Sequence, residues 1–380
     1  MKVLIIGAGR MAYGLVHDFL TQADLEKLHV LDNSQDALKE LSSKFKNNKL
    51  VTTLCNADDI EKLKPLFQSV DGAISAVPYD FNLALTKLAI QTKIHFVDLG
   101  GNNNVVDRQF ELDDQAKAKT IGIIPDCGLA PGMVSVIAAH VVNELARVDS
   151  LKIRVGGLPV NPKTPLNYML VFSPHGLINE YIEPAVILED GKITTRPSMT
   201  ETEELEFPQP FGLLEAFYTS GGTSTLPKTY ENKINYLDYK TIRYPGHCHI
   251  FKAMIDLGFA DETEFKYKNV SCTNRELFEK LIIPPLSYES DDAVLIRITA
   301  IGHKGGSRKI IQYQCIDYQD QESGLTAMMR TTAFPAAIIL QMLIRGEITD
   351  KGVLKQEVSV PGAKFIGELE KRKIFFEQTN

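Results

Sequence analysis

The residues with the clearest chemical meaning stand at the start of the chain, where an apolar run meets a glycine turn. Residues 3–6 are branched and apolar, which is typical of a strand buried on both faces. The turn that follows consists of Gly7, Ala8, Gly9, Arg10, Met11 and Ala12. Its first glycine permits a tight bend, its second lets the backbone approach a pyrophosphate, and its last alanine keeps the next helix close to the strand. Together with the free N–H groups at the start of that helix, this spacing predicts a dinucleotide-binding turn.

A carboxylate follows the second predicted strand. Residues 28–31 form that strand, and Asp32 comes after it, at the position where dinucleotide folds place an acid on the ribose hydroxyls. Asn33 and Ser34 come next, so neither Arg nor Lys is there to bind a 2′-phosphate, which the carboxylate would repel. The sequence therefore predicts NAD rather than NADP as the cofactor. The alternative is that the turn binds nothing and that Asp32 caps the next helix.

Strand and helix patterns alternate through the first third of the chain. Further strands are predicted at residues 49–54, 72–77, 94–97 and 121–125, and helices at 34–45, 57–67, 81–91 and 107–119. Repeated units of this kind predict an α/β fold with a doubly wound, Rossmann-type parallel sheet, whose ligands lie beyond the carboxyl ends of the strands. The residues predicted to line those ends are Ala76, Val77 and Pro78 for the cofactor, and Tyr79, Asp98 and Asp126 for catalysis.

The pattern changes after a helix predicted at residues 133–145. Strands at 151–155, 185–188, 193–195, 214–219, 234–241, 294–300 and 309–316 follow with few helices between them, and Asp190-Gly191 and residues 302–306 are hairpin turns. This pattern predicts a second α+β domain built on a mostly antiparallel sheet. An apolar helix beyond Gly324 needs burial, so we expect it to return to the first domain. The predicted domains are residues 1–128 with 325–380 for NAD binding, and 129–324 for substrate binding and dimerisation.

The composition excludes several classes of protein. The chain of 380 residues is 44% hydrophobic and carries a net charge of −7, with no basic block for nucleic acid or an anionic membrane surface. We expect no apolar run of the roughly 18 residues that a membrane-spanning helix needs. The five scattered cysteines suit a reducing, cytoplasmic environment, and neither they nor the histidines have the spacing of a metal site. A homodimer is the default expectation for the second sheet.

Four stretches resemble the saccharopine dehydrogenase family, and within it the branch of L-lysine 6-dehydrogenases. They are residues 126–133 (DCGLAPGM), 155–159 (VGGLP), 219–226 (TSGGTSTL) and 238–247 (DYKTIRYPGH). The resemblance covers nearly the whole chain and implies a dinucleotide domain joined to a substrate domain, which interconvert amines and carbonyls through imines with NAD or NADP. It also implies that Arg243 and its neighbours, among them Tyr244, bind an amino-acid carboxylate. Saccharopine reductases usually have Glu-x-Gly-Leu-Asp-Pro-Gly at residues 126–132, and the departure favours the lysine branch.

Oxidation of an amine by NAD needs a group that deprotonates the ammonium, because the ε-amine of lysine has a pKa of about 10.4. His247 is the first choice because it follows the Pro245-Gly246 turn and titrates near neutrality. Asp98 and Asp126 could also accept the proton or bind the substrate ammonium, and Tyr79 could flank the nicotinamide or form a hydrogen bond with the imine. The alternatives are capping for the aspartates, core packing for Tyr79 and a satisfied polar contact for His247.

Three further residues complete the predicted substrate site. The planar fork of Arg243 suits a bidentate carboxylate, although an ion pair with a protein carboxylate is an equal alternative. Thr223 and Ser224, on a glycine-rich loop, could complete the carboxylate pocket or form a mobile surface loop. Cys127 is expected to be a small buried residue beside the site rather than a nucleophile.

The sequence thus predicts an NAD-dependent enzyme that converts the side-chain amine of L-lysine to 2-aminoadipate 6-semialdehyde. The first alternative is a saccharopine dehydrogenase or a related NAD(P)-dependent imine reductase of amino-acid metabolism. The alternative outside the enzymes is an NAD-sensing protein without turnover.

Overall fold

The computed structural model describes residues 1–268 and 270–379, which form two compact units. The first unit comprises Met1–His140 and Met329–Phe375, and the second comprises Val141–Met328 and the residues from Phe376 on. Both boundaries lie later in the chain than the predicted ones at residues 128 and 324. Assignment of the last residues to the first domain is wrong, because Glu377–Thr379 pair with a strand of the second unit.

The helices and strands follow one another in three groups. Up to residue 143 they are β1 (Lys2–Ile6), α1 (Arg10–Leu20), β2 (Lys27–Asp32), α2 (Gln35–Lys44), β3 (Leu50–Leu54), α3 (Ile60–Phe67), β4 (Gly72–Ser75), α4 (Asn82–Thr92), β5 (His95–Asp98), α5 (Asn103–Phe110), α6 (Asp113–Ala118), β6 (Gly122–Ile124) and α7 (Val134–Asn143). From there to residue 318 they are β7 (Arg147–Pro159), α8 (Pro174–Ile182), β8 (Ala185–Glu189), β9 (Lys192–Arg196), β10 (Glu203–Phe207), β11 (Gly212–Tyr218), α9 (Leu226–Tyr230), β12 (Tyr236–Arg243), α10 (His247–Asp256), β13 (Glu264–Tyr267), β14 (Val270–Thr273), α11 (Asn274–Leu286), β15 (Asp292–Lys304) and β16 (Ser307–Tyr318). The last group is α12 (Ala327–Ile344), β17 (Gly352–Val353), α13 (Gln356–Ser359), α14 (Gly362–Lys371) and β18 (Glu377–Thr379).

A parallel sheet of seven strands forms the centre of the first unit, in the order β17-β6-β5-β4-β1-β2-β3. The order reverses between β1 and β4, which is the point where doubly wound sheets bind their ligands. β1 is paired on both edges, and Val3, Leu4, Ile5 and Ile6 are fully buried. The predicted Rossmann-type sheet is therefore confirmed. The helix predicted at residues 107–119 is instead two helices, α5 and α6, because the chain turns at Glu111 and Leu112.

The apolar helix α12 packs against the sheet and α1 of the first unit. Close contacts with glycines make this possible: a Cβ on Gly14 would lie 2.6 Å from the Cβ of Ala333, and one on Gly122 would lie 2.5 Å from Leu343 Cδ2. By length and composition α12 could cross a membrane, which contradicts the expectation that no apolar run is long enough. However, 83% of its apolar window is buried within the protein, as in a core helix.

The second unit is built on a mixed sheet of nine strands. Its main path runs β10-β11-β12-β7-β15-β16-β18, with β8 and β9 attached beside β12. Only the β12–β7 pair is parallel among the described pairs of this sheet, so the predicted, mostly antiparallel α+β domain is confirmed. The expectation of few helices is wrong, because α8, α9, α10 and α11 lie between its strands. The short strand β10 was also not predicted.

We expect the contact between α1 and α12 to make Gly14→Ala destabilising by about 1–3 kcal/mol, because a Cβ there would overlap Ala333 and the carbonyl of Met329. Gly367 in α14 has open space around a Cβ, so Gly367→Ala is the matched control and should stabilise by about 0.5–1 kcal/mol. Thermal unfolding of the three proteins measures both effects. Equal melting temperatures for Gly14→Ala and wild type would contradict this packing.

Candidate functional site

The glycine turn after β1 has the geometry that a dinucleotide needs. Gly7 has a φ of +106°, and a Cβ there would lie 2.8 Å from the carbonyl oxygen of Ala76 and 3.1 Å from Val77. Gly9 has no atom within 4 Å of a Cβ position, so the space above it is open. No side chain caps the start of α1 at Gly9, which leaves the first backbone N–H groups available to an anion.

The other predicted cofactor residues surround this turn. Arg10 is exposed in the first turn of α1, Met11 is half-buried, and Ala12 is fully buried against the sheet. Ala76 and Val77 follow β4 beside Gly7, and Pro78 continues the same segment with an exposed side chain. These residues fit a nicotinamide dinucleotide: the open backbone at Gly9 would receive the pyrophosphate, and such a cofactor would supply a hydride acceptor.

Asp32 is fixed between the glycine turn and the chain after β2. Its Oδ2 accepts a hydrogen bond from the N–H of Ala8 at 2.7 Å, and its Oδ1 accepts one from the N–H of Ser34 at 2.7 Å. A carboxylate has about four acceptor positions, so these bonds orient the group without using all of them. Asp32 is therefore held beside the turn. The alternative that it caps the next helix is wrong, because Ser34 is the N-cap of α2 and its hydroxyl accepts from the N–H of Ala37.

Asp98 does not present a free carboxylate, in contrast to its predicted catalytic role. It is fully buried, and it accepts hydrogen bonds from the N–H groups of Gly100 and Asp126 and from Nε2 of Gln109, at 2.9, 3.0 and 2.7 Å. Burial raises its pKa from the ordinary value. Its position at the end of a buried strand explains this outcome, because the carboxylate holds the two turns that follow β5 and β6.

Asp126 adopts an unusual backbone conformation at the end of β6. Asp126 is buried and has a φ of +59°, and Gln356 donates a hydrogen bond to its carbonyl oxygen. A Cβ on Gly100 would lie only 1.8 Å from its Oδ1, so the carboxylate rests on that glycine. Strained backbone that the surroundings hold in place is typical of functional sites.

Tyr79 and Cys127 border the same strand ends. The ring of Tyr79 lies against Gly101, where a Cβ would be 3.1 Å from its Cδ1. Cys127 is fully buried, and burial raises the pKa of its thiol well above the usual value, so it is a protonated core residue. The structure thus brings Tyr79, Asp98 and Asp126 to one edge of the sheet. Gln356, which the sequence analysis missed, comes from α13 far along the chain and carried no motif.

Arg243, at the end of β12, is the centre of a second group of residues that lies wholly in the second unit. The residue is 3% exposed. Its Nε donates to the hydroxyl of Tyr181 at 2.9 Å, its Nη1 donates to the carbonyl of Ile242 at 2.9 Å, and its guanidinium lies 4.7 Å from the ring centre of Tyr168. Among the described residues no carboxylate forms an ion pair with Arg243 within 4 Å. The alternative of an ion pair with the protein is therefore wrong.

His247 does not face a cleft, as the sequence analysis expected. It begins α10, is 1% exposed, and both ring nitrogens are engaged. Nδ1 lies 2.9 Å from the carbonyl of Leu166 and must be the donor there, so Nε2 accepts from the Tyr181 hydroxyl at 3.0 Å. Burial and the neighbouring Arg243 lower the pKa of His247 to about 3, which leaves it neutral at working pH. Its contacts position Tyr181, and through it Arg243, rather than a substrate proton.

The remaining predicted substrate residues have structural contacts. Thr223 is buried, and its hydroxyl donates to the carbonyl of Val186 at 3.4 Å. Ser224 is half-buried with a φ of +44°. Tyr244 packs in the core with Leu158, and its hydroxyl donates to the carbonyl of Pro159 at 2.9 Å. Because side chains alternate along a strand, Tyr244 follows Arg243 onto the other face of the sheet.

Glu180 in α8 is the charged residue of this group that the sequence analysis missed. It is half-buried, it interacts electrostatically with Arg243, and burial raises its pKa to about 7. The charge of Glu180 helps to raise the pKa values of the Tyr168 and Tyr239 phenols. The signal was present in the sequence, because Glu180 borders the buried face of α8 that Leu177 and Tyr181 form.

We expect Asp98→Ala to lower stability by about 3 kcal/mol or more, because the hydrogen bonds from Gly100, Asp126 and Gln109 all lose their acceptor. Asp98→Asn is the matched control and should cost less, since its amide oxygen can still accept the backbone bonds. Denaturant unfolding measures the two losses. If both variants keep wild-type stability but lose turnover, Asp98 acts in the chemistry and not as an anchor.

Comparisons with known proteins give the family and the fold of the chain. Residues 128–374 match the family model of the saccharopine dehydrogenase C-terminal domain, and residues 3–124 match that of the saccharopine dehydrogenase NADP binding domain. The computed structure superimposes on the apo saccharopine dehydrogenase (L-Glu forming) of Saccharomyces cerevisiae with a TM-score of 0.83, at 19% identity and over 100% of this chain and 99% of that one. At that identity the likeness shows a shared fold.

Curated relatives are distant in sequence. The mitochondrial alpha-aminoadipic semialdehyde synthase of Rattus norvegicus is 22% identical over 93% of this chain, and this chain covers 45% of that protein. A saccharopine dehydrogenase (NADP(+), L-glutamate-forming) of Pyricularia oryzae is 25% identical over 76% of this chain and 65% of its own length. The carboxynorspermidine synthase of Vibrio cholerae is 26% identical over 94% of this chain and 92% of its own length. The two family models together account for most of the sequence, and the chain belongs to the saccharopine dehydrogenase family.

Proposed function

We propose that the protein is an NAD-dependent oxidoreductase that oxidises the side-chain amine of L-lysine. The observation that carries this proposal is the buried guanidinium of Arg243, which Tyr181 and the Ile242 carbonyl hold without a carboxylate in an ion pair within 4 Å among the described residues. A buried charge costs several kcal/mol unless an opposite charge compensates it, and a substrate carboxylate would do so. The planar fork then fixes the orientation of an amino acid.

The overall reaction balances with one water and one oxidant. The ammonium R–CH2–NH3⁺ loses a proton, the carbon bearing the amine then transfers a hydride to NAD⁺, and the imine that forms adds water and releases ammonia. The products are 2-aminoadipate 6-semialdehyde, ammonium, NADH and one proton. Asp126 is our proposed proton acceptor, because its strained backbone and Gly100 hold its carboxylate in one place. His247 suits this role less well, because both of its ring nitrogens are engaged by Leu166 and Tyr181. Asp98 also suits it less well, because its carboxylate already accepts three hydrogen bonds.

The proposed preference for NAD rests on Asp32. Its carboxylate is fixed beside the glycine turn by Ala8 and Ser34, where it can accept hydrogen bonds from ribose hydroxyls and would repel a 2′-phosphate. The opposite preference is a serious alternative, because the matching family model and the Pyricularia oryzae relative both carry NADP in their names.

A second candidate function is an imine reductase that joins an amine to a carbonyl compound. The relative from Vibrio cholerae supports it, because this chain covers 92% of that carboxynorspermidine synthase, compared with 45% of the rat protein. Saccharopine dehydrogenation is a variant of the same candidate. It would need a site for a second dicarboxylate, whereas the other buried arginines of the second unit, Arg154 and Arg275, already pair with carboxylates of the protein.

The test is a screen of amines and amino acids for NADH formation, run beside a reductive screen of aldehydes with amines. We expect L-lysine to give the highest oxidative kcat/KM. Arg243→Lys keeps the charge and loses the fork, so it should raise KM for L-lysine by about 10- to 100-fold and leave KM for NAD near its wild-type value. Arg243→Ala with wild-type kinetics on every accepted amine would remove Arg243 from the site, and turnover only in the reductive screen would establish the second candidate.

The cofactor proposal predicts a higher kcat/KM with NAD than with NADP. Asp32→Asn keeps an acceptor for the N–H of Ala8 and removes the charge that opposes a 2′-phosphate, so it should narrow the preference by about tenfold. Lys2→Gln, which changes an exposed charge at the other end of the sheet strand β1, is the control and should leave the preference unchanged. A wild-type preference for NADP would overturn the argument from Asp32.

A further inference from the structure

We propose that Glu180 binds the α-ammonium group of the substrate, so that Arg243 and Glu180 together select a zwitterionic α-amino acid. This inference rests on the proposed function, in which Arg243 binds the α-carboxylate. It adds a second specificity residue to the same site and defines the substrate class by its head group, independently of the chemistry at the far end.

The first observation is that the two opposite charges share one cluster without neutralising each other. Glu180 interacts electrostatically with Arg243, but the two form no ion pair within 4 Å in the described structure. The carboxylate of Glu180 makes no hydrogen bond to residues 1–268 or 270–379, and Nη2 of Arg243 is likewise not engaged by them. A carboxylate and a guanidinium placed this way complement the ammonium and the carboxylate of one zwitterion.

The second observation is that rigid elements hold both groups. Glu180 lies in the last turn of α8, where its carbonyl accepts the N–H of Ser220 at 2.9 Å. The buried Arg275 of α11 donates to the side chain of Asn179, the residue before it. On the other side the Tyr181 hydroxyl holds Arg243. A site whose charged groups are fixed in advance loses little entropy on binding.

The third observation is the unused hydrogen-bonding capacity in the same cluster. Tyr168 is fully buried beneath the guanidinium of Arg243, and its hydroxyl, near the backbone of Val171, makes no hydrogen bond of normal geometry to the described residues. The ring of Tyr239 lies against Gly222, which must lack a side chain because a Cβ there would lie 2.5 Å from the ring. Buried polar groups without partners are rare, and they are concentrated at functional sites.

Another feature of the second unit fits a ligand less well. A cavity of about 410 Å³ is lined by Tyr181 and carries Arg196 and Lys252 in its wall. Arg196 pairs with Glu189 and Glu201, and Lys252 pairs with Asp256. Its cations therefore already have protein counter-ions, in contrast to Arg243.

The test compares three amines that share the reacting end and differ in the head group. L-Lysine has both charges, 6-aminohexanoate lacks the α-ammonium, and cadaverine lacks the α-carboxylate. Glu180→Gln should lower kcat/KM for L-lysine by about 10- to 100-fold and change that for 6-aminohexanoate by less than about threefold. Arg243→Gln should show the complementary pattern, with a loss for L-lysine and for 6-aminohexanoate and little change for cadaverine.

A matched control comes from the same helix. Glu183 follows α8, and its carboxylate accepts a hydrogen bond from Ser220, so Glu183→Gln removes a nearby charge without removing the one beside Arg243. It should leave the ratio of the L-lysine and 6-aminohexanoate values unchanged. The proposal would be overturned if Glu180→Gln left the ratio of kcat/KM for L-lysine to kcat/KM for 6-aminohexanoate at its wild-type value, whether both values fell equally or neither changed.

The pH dependence gives a second readout. Only ionised Glu180 can pair with an ammonium, and its pKa in the free site is raised to about 7, so KM for L-lysine should fall as the pH rises through that value. Arg243 stays charged, burial raises the pKa values of the Tyr168, Tyr181 and Tyr239 phenols, and the pKa of His247 is lowered to about 3, so none of these five neighbouring groups titrates near 7. Glu180→Gln should abolish this limb, and 6-aminohexanoate should not show it.

Calorimetry separates this inference from the proposed function. L-Norleucine has the head group of lysine and no side-chain amine, so its binding does not require turnover. We expect wild type to bind L-norleucine and Glu180→Gln to bind it at least about tenfold more weakly, with melting temperatures that show both to be folded. Binding of this pattern without NADH formation from any amine would contradict the proposed reaction and retain the zwitterion site. Equal affinities would overturn the role of Glu180.

Discussion

The buried guanidinium of Arg243 is the constraint on which this part of the second unit depends. Taking a cation out of water costs several kcal/mol of free energy. The hydrogen bonds that Arg243 donates and its contacts with aromatic rings offset part of this cost. The Tyr181 hydroxyl accepts from Arg243 and donates to His247, whose Nδ1 donates to the carbonyl of Leu166. The direction of every hydrogen bond in this series is fixed, because the guanidinium at one end can only donate and the carbonyl at the other end can only accept. The neutral His247 is therefore required by Arg243 and is not a second, independent feature.

The other face of β12, the strand that ends at Arg243, shows how the protein neutralises a buried arginine that has a structural role. Arg154 on β7 is as deeply buried as Arg243, but it donates to both carboxylate oxygens of Asp238, at 2.8 and 2.9 Å, and also to Glu203. Because side chains alternate along β12, Asp238 lies on one face and Arg243 on the other. One arginine is neutralised within the protein and the other is not. This contrast favours a ligand role for Arg243 more strongly than its burial alone.

The sequence predicted those parts of the site that depend on local backbone. Local sequence patterns that are typical of few other structures predicted the glycine turn, the strand ends and the acid at the end of β2. The repeated alternation of strand and helix patterns predicted the parallel sheet. His247 and Glu180 show where this reasoning stops. A Pro-Gly turn before His247 indicated exposure, but the tertiary contacts with Leu166 and Tyr181 bury the ring. Glu180 belongs to no motif, and its environment is set by residues far away in the sequence, such as Arg243 and Tyr239.

Three aspartates that follow strands of the first sheet illustrate why position alone does not decide function. Asp98 accepts three hydrogen bonds in a fully buried place and has become an anchor for two turns. Asp32 accepts two and keeps part of its capacity at the edge of the glycine turn. Asp126 is held through its backbone, because its N–H donates to Asp98 and its carbonyl accepts from Gln356. A carboxylate that accepts several hydrogen bonds from the surrounding turns, as that of Asp98 does, serves the fold, so a position at the end of a strand does not by itself make an aspartate catalytic.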